Sequence, residues 1–126
     1  MTNYFYDSYA IIEFINGNPL YREYFLEDQG VTTLYNVMEV YYVTLCEEGE
    51  EKAKIVLKQL ASITIYPSLE DVADAMKFRL THKQKNLSYA DCLGYIMSLR
   101  RKLIFLTGDK EFKDFPHVRF VTTAIK

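Results

Sequence analysis

The spacing of apolar and polar positions predicts strands and helices in turn along the whole chain. Residues 3–7 carry the aromatic run Tyr4, Phe5, Tyr6 into Asp7, the pattern of a short buried strand ending on an acid. Residues 8–15 predict a helix stopped by Asn16-Gly17. Asn18-Pro19 then opens a second helix in the cap and first-turn positions, with Gly30 closing it. The β-branched stretch 31–33 predicts a second strand. Residues 34–48 predict a long helix, apolar on nearly every side and ended by Gly49. Residues 50–60 are amphipathic, with Ala53, Val56, Leu57 and Leu60 at helical spacing.

The second half repeats the alternation. Residues 62–66 predict a strand stopped by Pro67. Ser68 with Asp71, and later Ser88 with Asp91, form the two ends of capping boxes, starting helices that reach about Thr81 and about Arg101. A polar, lysine-containing loop over 82–87 separates them. Residues 103–106 predict a buried strand followed by Thr107-Gly108-Asp109, then a short turn or helix over 110–115 and a last strand over 118–121. This order argues for an α/β fold of three layers, α/β/α, with a mostly parallel central sheet covered on both faces. Residues 1–126 read as one domain without repeat, low-complexity tract or linker.

Composition narrows the class. The chain has 126 residues, 49% of them hydrophobic and 25% charged, as expected for a soluble globular protein. No stretch approaches the roughly 20 apolar residues that a transmembrane helix needs. The opening MTNYFYDSYA has no basic start and carries an acid at position 7, so it does not read as a signal peptide. A cytoplasmic protein is expected. Cys46 and Cys92 stand in no CxxC or Cys/His spacing and are expected to be reduced, mostly buried thiols. His82 and His117 are isolated, so zinc is not expected.

Charge is unevenly distributed. The net charge of −2 combines residues 1–76, with 4 basic and 13 acidic side chains, and residues 77–126, with 11 basic and 4 acidic. A basic half attracts phosphates and an acidic half repels them, which would confine binding to one face. The same pattern arises from unrelated solvated helix faces.

Four acids stand out. Asp7 and Asp109 each follow an apolar strand, at the strand end where open α/β sheets form ligand crevices; Asp is also a good turn residue and cap. Glu39 lies in LYNVMEVYYVTL, an apolar helix where a lone carboxylate needs a partner or a narrow solvent stripe shared with Asn36. Asp91 closes a capping box and also stands at a helix start that could face a crevice. If the four converge, they repel one another unless a cation is present. Clustered carboxylates without His or Cys favour hard cations such as Mg²⁺ or Mn²⁺.

FYDSYAIIEF, the lone acid in NVMEVYY, LSYADCLGYIMS and LIFLTGDKEF follow one another along the chain. Together they resemble the PIN-domain ribonucleases, and within them the short VapC-like toxins of type II toxin–antitoxin pairs. The resemblance spans nearly the whole chain. It implies that Asp7, Glu39, Asp91 and Asp109 are the catalytic, metal-holding acids, with Ser8 and Thr107 as supporting hydroxyls and Glu111 as a further acid. It also implies metal-dependent cleavage of RNA to 5′-phosphate and 3′-hydroxyl ends, a homodimer and an antitoxin partner. One departure is Tyr95, one turn beyond Asp91, where the family usually has small residues; it is expected to narrow the crevice.

Lys83, Lys85, Arg100, Arg101, Lys102, Lys110, Lys113 and Arg119 are candidate contacts to an RNA backbone. Tyr35, Tyr41 and Tyr42, and Tyr21 with Tyr24, lie on apolar helix faces and read either as core or as an exposed patch for a partner. The alternative to a nuclease is an RNA- or protein-binding module on the same scaffold with weak or no cleavage. Phosphoryl transfer on another α/β fold fits poorly. A haloacid-dehalogenase-type phosphatase needs an Asp where Tyr9 stands, and neither GxxxxGK[ST] nor GxGxxG occurs.

Overall fold

The computed structural model describes residues 3–26 and 29–122. Strand β1 (Tyr4–Tyr6) runs into helix α1 (Ser8–Ile15), and a 3-10 helix (Pro19–Phe25) follows. Strand β2 (Gly30–Thr33) leads into α2 (Leu34–Glu48), α3 (Glu50–Ala61) and strand β3 (Thr64–Ile65). Then come α4 (Leu69–Thr81), α5 (Tyr89–Arg100), β4 (Ile104–Thr107), a second 3-10 turn (Lys110–Phe112) and β5 (Val118–Phe120).

The five strands are ordered β3-β2-β1-β4-β5, and every pairing is parallel. Side chains alternate strictly across the sheet, as a period of two demands. Phe5 and Phe105 face α4 and α5, joining Cys92, Leu93, Tyr95, Met97 and Phe112 in one core. Tyr6 and Leu106 face the opposite way and pack with Ala10, Ile11, Val37, Val40 and Val56 of α1, α2 and α3. The three-layer α/β/α architecture predicted from the alternation is the one observed.

The chain leaves β1 toward β2 and β3 on one side, then returns through α4 and α5 to β4 on the other. The order therefore reverses between β1 and β4, and a crevice forms outside their C-terminal ends.

Two local expectations are corrected. The segment after Asn18-Pro19 is a 3-10 helix, with Asn18 Oδ1 accepting from Leu20 N at 2.9 Å. Gly30 does not close it. Gly30 starts β2, and the Tyr6 ring lies 2.2 Å from where a Cβ would stand, so the glycine makes room for that ring. Both capping boxes form as predicted, Ser68 with Asp71 and Ser88 with Asp91. Cys92 is buried, but Cys46 is exposed on α2, because only one side of that helix faces the core.

Candidate active site

Parallel pairing of β1 and β4 puts Tyr6 opposite Leu106, so the next residues, Asp7 and Thr107, stand side by side at the crevice. The Asp7 carboxylate is 2% exposed. Its Oδ1 accepts from Ser8 N at 2.8 Å and its Oδ2 accepts from the Thr107 hydroxyl at 2.6 Å. Thr107 Oγ1 in turn accepts from Asp109 N at 3.0 Å, and Asp109 Oδ1 accepts from Glu111 N at 2.9 Å. The intervening Gly108 is required by space: a Cβ there would stand 2.3 Å from the Tyr9 ring and 2.4 Å from the Tyr21 hydroxyl.

Ser8 links this half to α2. Its hydroxyl donates to Glu39 Oε1 at 2.5 Å and accepts from the Asn36 amide at 2.9 Å. Glu39 is half-buried and shares no solvent stripe with Asn36, which is buried. Asp91 is half-buried at the start of α5, where Ser88 N donates to its Oδ2 at 2.9 Å. It keeps the capping role, and it lies near enough to Asp109 and Glu39 for their charges to act on it.

The four acids act on one another. Burial first, then the negative charges of Asp91 and Asp109, push the Asp7 carboxyl up to about 8, despite the hydrogen bonds from Thr107 and Ser8 that pull it down. Burial, Asp109 and Glu39 also raise Asp91 against the lowering effect of Ser88. Among the described residues, no lysine or arginine forms an ion pair with any of the four. Among these residues the crevice thus collects negative charge without an ion-paired counter-charge.

The donor chemistry, carboxylates and hydroxyls with no His or Cys among them, fits a hard divalent cation. As placed, no three His, Cys, Asp or Glu side chains among the described residues close around a common point. Holding an ion there requires carboxyl groups to turn toward one another.

Residues 4–118 match the profile of the PIN domain. The chain belongs to the PIN-domain family. Among curated proteins, no sequence is significantly similar. Solved PIN-fold structures are similar in fold. A toxin–antitoxin complex from Klebsiella pneumoniae superposes with a TM-score of 0.72 at 18% identity, covering 93% of this chain and 96% of that one. VapC20 of Mycobacterium tuberculosis, a sarcin–ricin loop cleaving toxin, gives 0.71 at 13% identity, covering 93% and 99%. VapBC-1 of nontypeable Haemophilus influenzae gives 0.71 at 17% identity, covering 96% and 98%.

Against this PIN frame, several sequence expectations change. Tyr95 does not narrow the crevice. It is 1% exposed, lies among Phe78, Phe105, Phe112 and Phe115, and donates its hydroxyl to Pro116 O at 2.8 Å. Its packing against these rings turns it into the core rather than the crevice. Tyr95→Phe is accordingly expected to cost about 1 kcal/mol of stability, the net worth of one hydrogen bond, while leaving site chemistry unchanged. Urea denaturation and metal titration of the variant check both halves.

Arg100 and Arg101 are committed elsewhere. Arg100 Nε lies 3.1 Å from Asp71 Oδ1, and Arg101 Nη2 lies 3.0 Å from Asp71 Oδ2. Arg100 also pairs with Asp74 and Glu70. Part of the charge asymmetry between the two halves of the chain is therefore neutralised between α4 and α5. Arg119 donates to the Tyr24 hydroxyl at 3.1 Å, and Lys85 lies 3.8 Å from Glu111. Glu111 thus has a cation beside it that the four crevice acids lack. Lys110 is exposed, next to Asp109 at the crevice rim.

The tyrosines divide. Tyr21 is fully buried, donating to Val121 O, whereas Tyr35 and Tyr42 are exposed. Tyr35, Met38, Val72, Met76 and Tyr89 line an apolar groove of about 430 Å³ whose wall includes Glu39. Sequence reasoning missed Thr33 and the role of Asn36. The signal was present: Thr33 caps α2, and Asn36 precedes Glu39 by one turn, on the same face.

Proposed function

We propose that this chain is a divalent-metal-dependent ribonuclease that hydrolyses RNA phosphodiester bonds and serves as the toxin of a toxin–antitoxin pair. The observation that carries this reading is Asp7, a buried carboxyl acted on by the charges of Asp91 and Asp109, with no lysine or arginine ion-paired to it among the described residues. Without a cation such a carboxyl holds a proton, and keeping it ionised at neutral pH is costly unless a bound cation supplies the missing charge.

Asp7, Glu39, Asp91 and Asp109 would hold Mg²⁺ or Mn²⁺, with Ser8 and Thr107 supporting them. When bound, the ion activates water and offsets charge developing on the phosphodiester. The protein's own contribution is positional. Ser8 N and the Thr107 hydroxyl each hold one oxygen of Asp7. The Ser8 hydroxyl orients Glu39, and Gly108 lets the turn bearing Asp109 pack down on Tyr9. Lys110 at the rim offers positive charge to a backbone phosphate.

An antitoxin partner is supported by the toxin–antitoxin complexes among the similar structures. It is also supported by the apolar groove beside Glu39, where residues of α2, α4 and α5 form a lining that suits an amphipathic segment. A homodimer in the cytoplasm completes the proposal; a strict monomer by light scattering at high concentration would remove that part. The second reading, a binding module with weak or no cleavage, is favoured by one observation: the acids do not close around a common point.

An RNA cleavage assay with Mn²⁺ and EDTA arms, run beside Asp109→Asn, separates the two. Cleavage with Mn²⁺ is expected to vanish both in EDTA and in the variant, whose far-ultraviolet circular dichroism stays unchanged. Cleavage that persists in EDTA would reject the metal. No cleavage, together with no effect of Mn²⁺ on thermal melting, would leave the binding module.

A further inference from the structure

We infer that Asn36 is a positioning residue that sets the direction of the Ser8 hydroxyl proton and thereby orients Glu39. Three consecutive hydrogen bonds run one way. The Thr33 hydroxyl donates to Asn36 Oδ1 at 2.6 Å, Asn36 Nδ2 donates to Ser8 Oγ at 2.9 Å, and the Ser8 hydroxyl donates to Glu39 Oε1 at 2.5 Å. Every donor points toward the carboxylate.

The direction is enforced from the far end. Thr33 Oγ1 accepts from Asn36 N at 3.3 Å as the cap of α2, so its own proton is left for the Asn36 carbonyl oxygen. That bond fixes which end of the amide faces Thr33 and which faces Ser8. With its NH₂ toward Ser8, Asn36 occupies a lone pair of the hydroxyl and leaves the proton for Glu39. Were the amide reversed, its oxygen would compete with Glu39 for that same proton.

Burial makes this arrangement stiff. Asn36 is 1% exposed, Thr33 is equally buried, and Ser8 is nearly so. Water cannot replace a missing partner there without a cavity to hold it. The mirror relay on the other side, from Glu111 N through Asp109 and Thr107, also ends on a carboxylate, that of Asp7. Ser8 joins the two, serving Asp7 with its backbone N–H and Glu39 with its side chain. A polar residue buried on the sheet side of an apolar helix is thereby accounted for.

The inference deepens the proposed function, because it assigns the support of one proposed metal ligand. Its test begins without metal. In metal-free protein at fixed pH, the ¹³C resonance of the Glu39 carboxyl carbon is expected to shift in Ser8→Ala. It should move the same way in Asn36→Ala and no further in the double variant. With Mn²⁺ added, Asn36→Ala is expected to weaken binding roughly tenfold, in the range seen for groups that orient a ligand. That loss should disappear when the substitution is made in Ser8→Ala, since residues acting through one another are not additive.

A Glu39 signal unmoved by Asn36→Ala, or losses that simply add, would overturn the inference. Asn36→Ser supplies the same readings if the alanine variant does not fold, as its short hydroxyl cannot span Thr33 and Ser8 together. Wild-type protein that binds no Mn²⁺ would reject the proposed function alone; the metal-free spectra would still decide the role of Asn36.

Discussion

Asp7→Asn is expected to abolish metal-dependent RNA cleavage and, in metal-free protein at pH 8, to raise the melting temperature. The two effects have one cause. The carboxylate lies in a nearly dry place beside Asp91 and Asp109, and its pKa stands at about 8 against an ordinary 3.8. The folded protein therefore keeps a proton that the unfolded chain releases above pH 4. Raising the pH through the interval from about 4 to about 8 favours unfolding, with a slope from this group of at most about 1.4 kcal/mol per pH unit.

An amide at position 7 carries no charge and removes that slope. Its oxygen can still accept from Ser8 N, while the bond from Thr107 is lost or reversed, which offsets part of the gain. A net rise of roughly 5 °C at pH 8, about 1 kcal/mol for a domain of this size, is the expected balance. Wild-type protein should recover the difference when Mn²⁺ is added, and the variant should not. Melting curves across pH 4–9, with and without Mn²⁺, read all of this. A wild-type melting temperature that rises steadily with pH would contradict the account of Asp7.

The second large effect lies away from the crevice. Asp71→Ala is expected to destabilise the fold by about 2–4 kcal/mol, from loss of a capping box and of a buried charge held by two arginines. Asp71 is 1% exposed, accepts from Ser68 N at 2.9 Å, and lies between Arg100 and Arg101 of the neighbouring helix. Burial by itself would raise its pKa. Hydrogen bonds from Arg101 and Ser68, with the Arg101 charge, outweigh that and hold it below the usual carboxylate range.

The sign is the reverse of that for Asp7. The Asp71 contribution is present above the unfolded carboxylate pKa and is lost as pH falls through the folded one, so this clamp fails on acidification. Chemical denaturation at pH 7 and again well below the ordinary carboxylate value of 3.8 should show the variant's deficit shrinking at the lower pH. Its RNA cleavage per folded molecule should match wild type, because Arg100 and Arg101 serve α4 rather than the crevice. A cleavage defect in a fully folded Asp71→Ala sample would return the two arginines to the substrate path.

Much was decided locally, and those parts were legible in the chain. The aromatic run into Asp7 in β1, helical spacing in α3 and the two capping boxes each specify an element through contacts within a few residues. The glycine after Asn18-Pro19 was misread, because Gly30 answers to the Tyr6 ring of a neighbouring strand, a contact no local pattern contains. Tyr95 was misplaced for a similar reason. Its helix is apolar on several sides, and only packing against Phe105 and Phe112 decides which side is core.

The crevice acids could be named from the sequence as polar residues at strand ends and on an apolar helix. What they amount to together depends on the tertiary structure. The chain order β3-β2-β1-β4-β5 sets Asp7 beside Thr107 across a hundred residues of sequence, and the α2 packing brings Asn36 and Glu39 onto Ser8. Among the described residues, the same folding leaves the four acids without an ion-pairing cation, while it spends Arg100 and Arg101 on Asp71. By itself the sequence determined the elements and the residues able to carry chemistry, since these follow from propensity, caps and periodicity. Only the tertiary structure decided which charges meet and which are buried, because electrostatic and desolvation energies depend on distances between segments that the chain order does not contain.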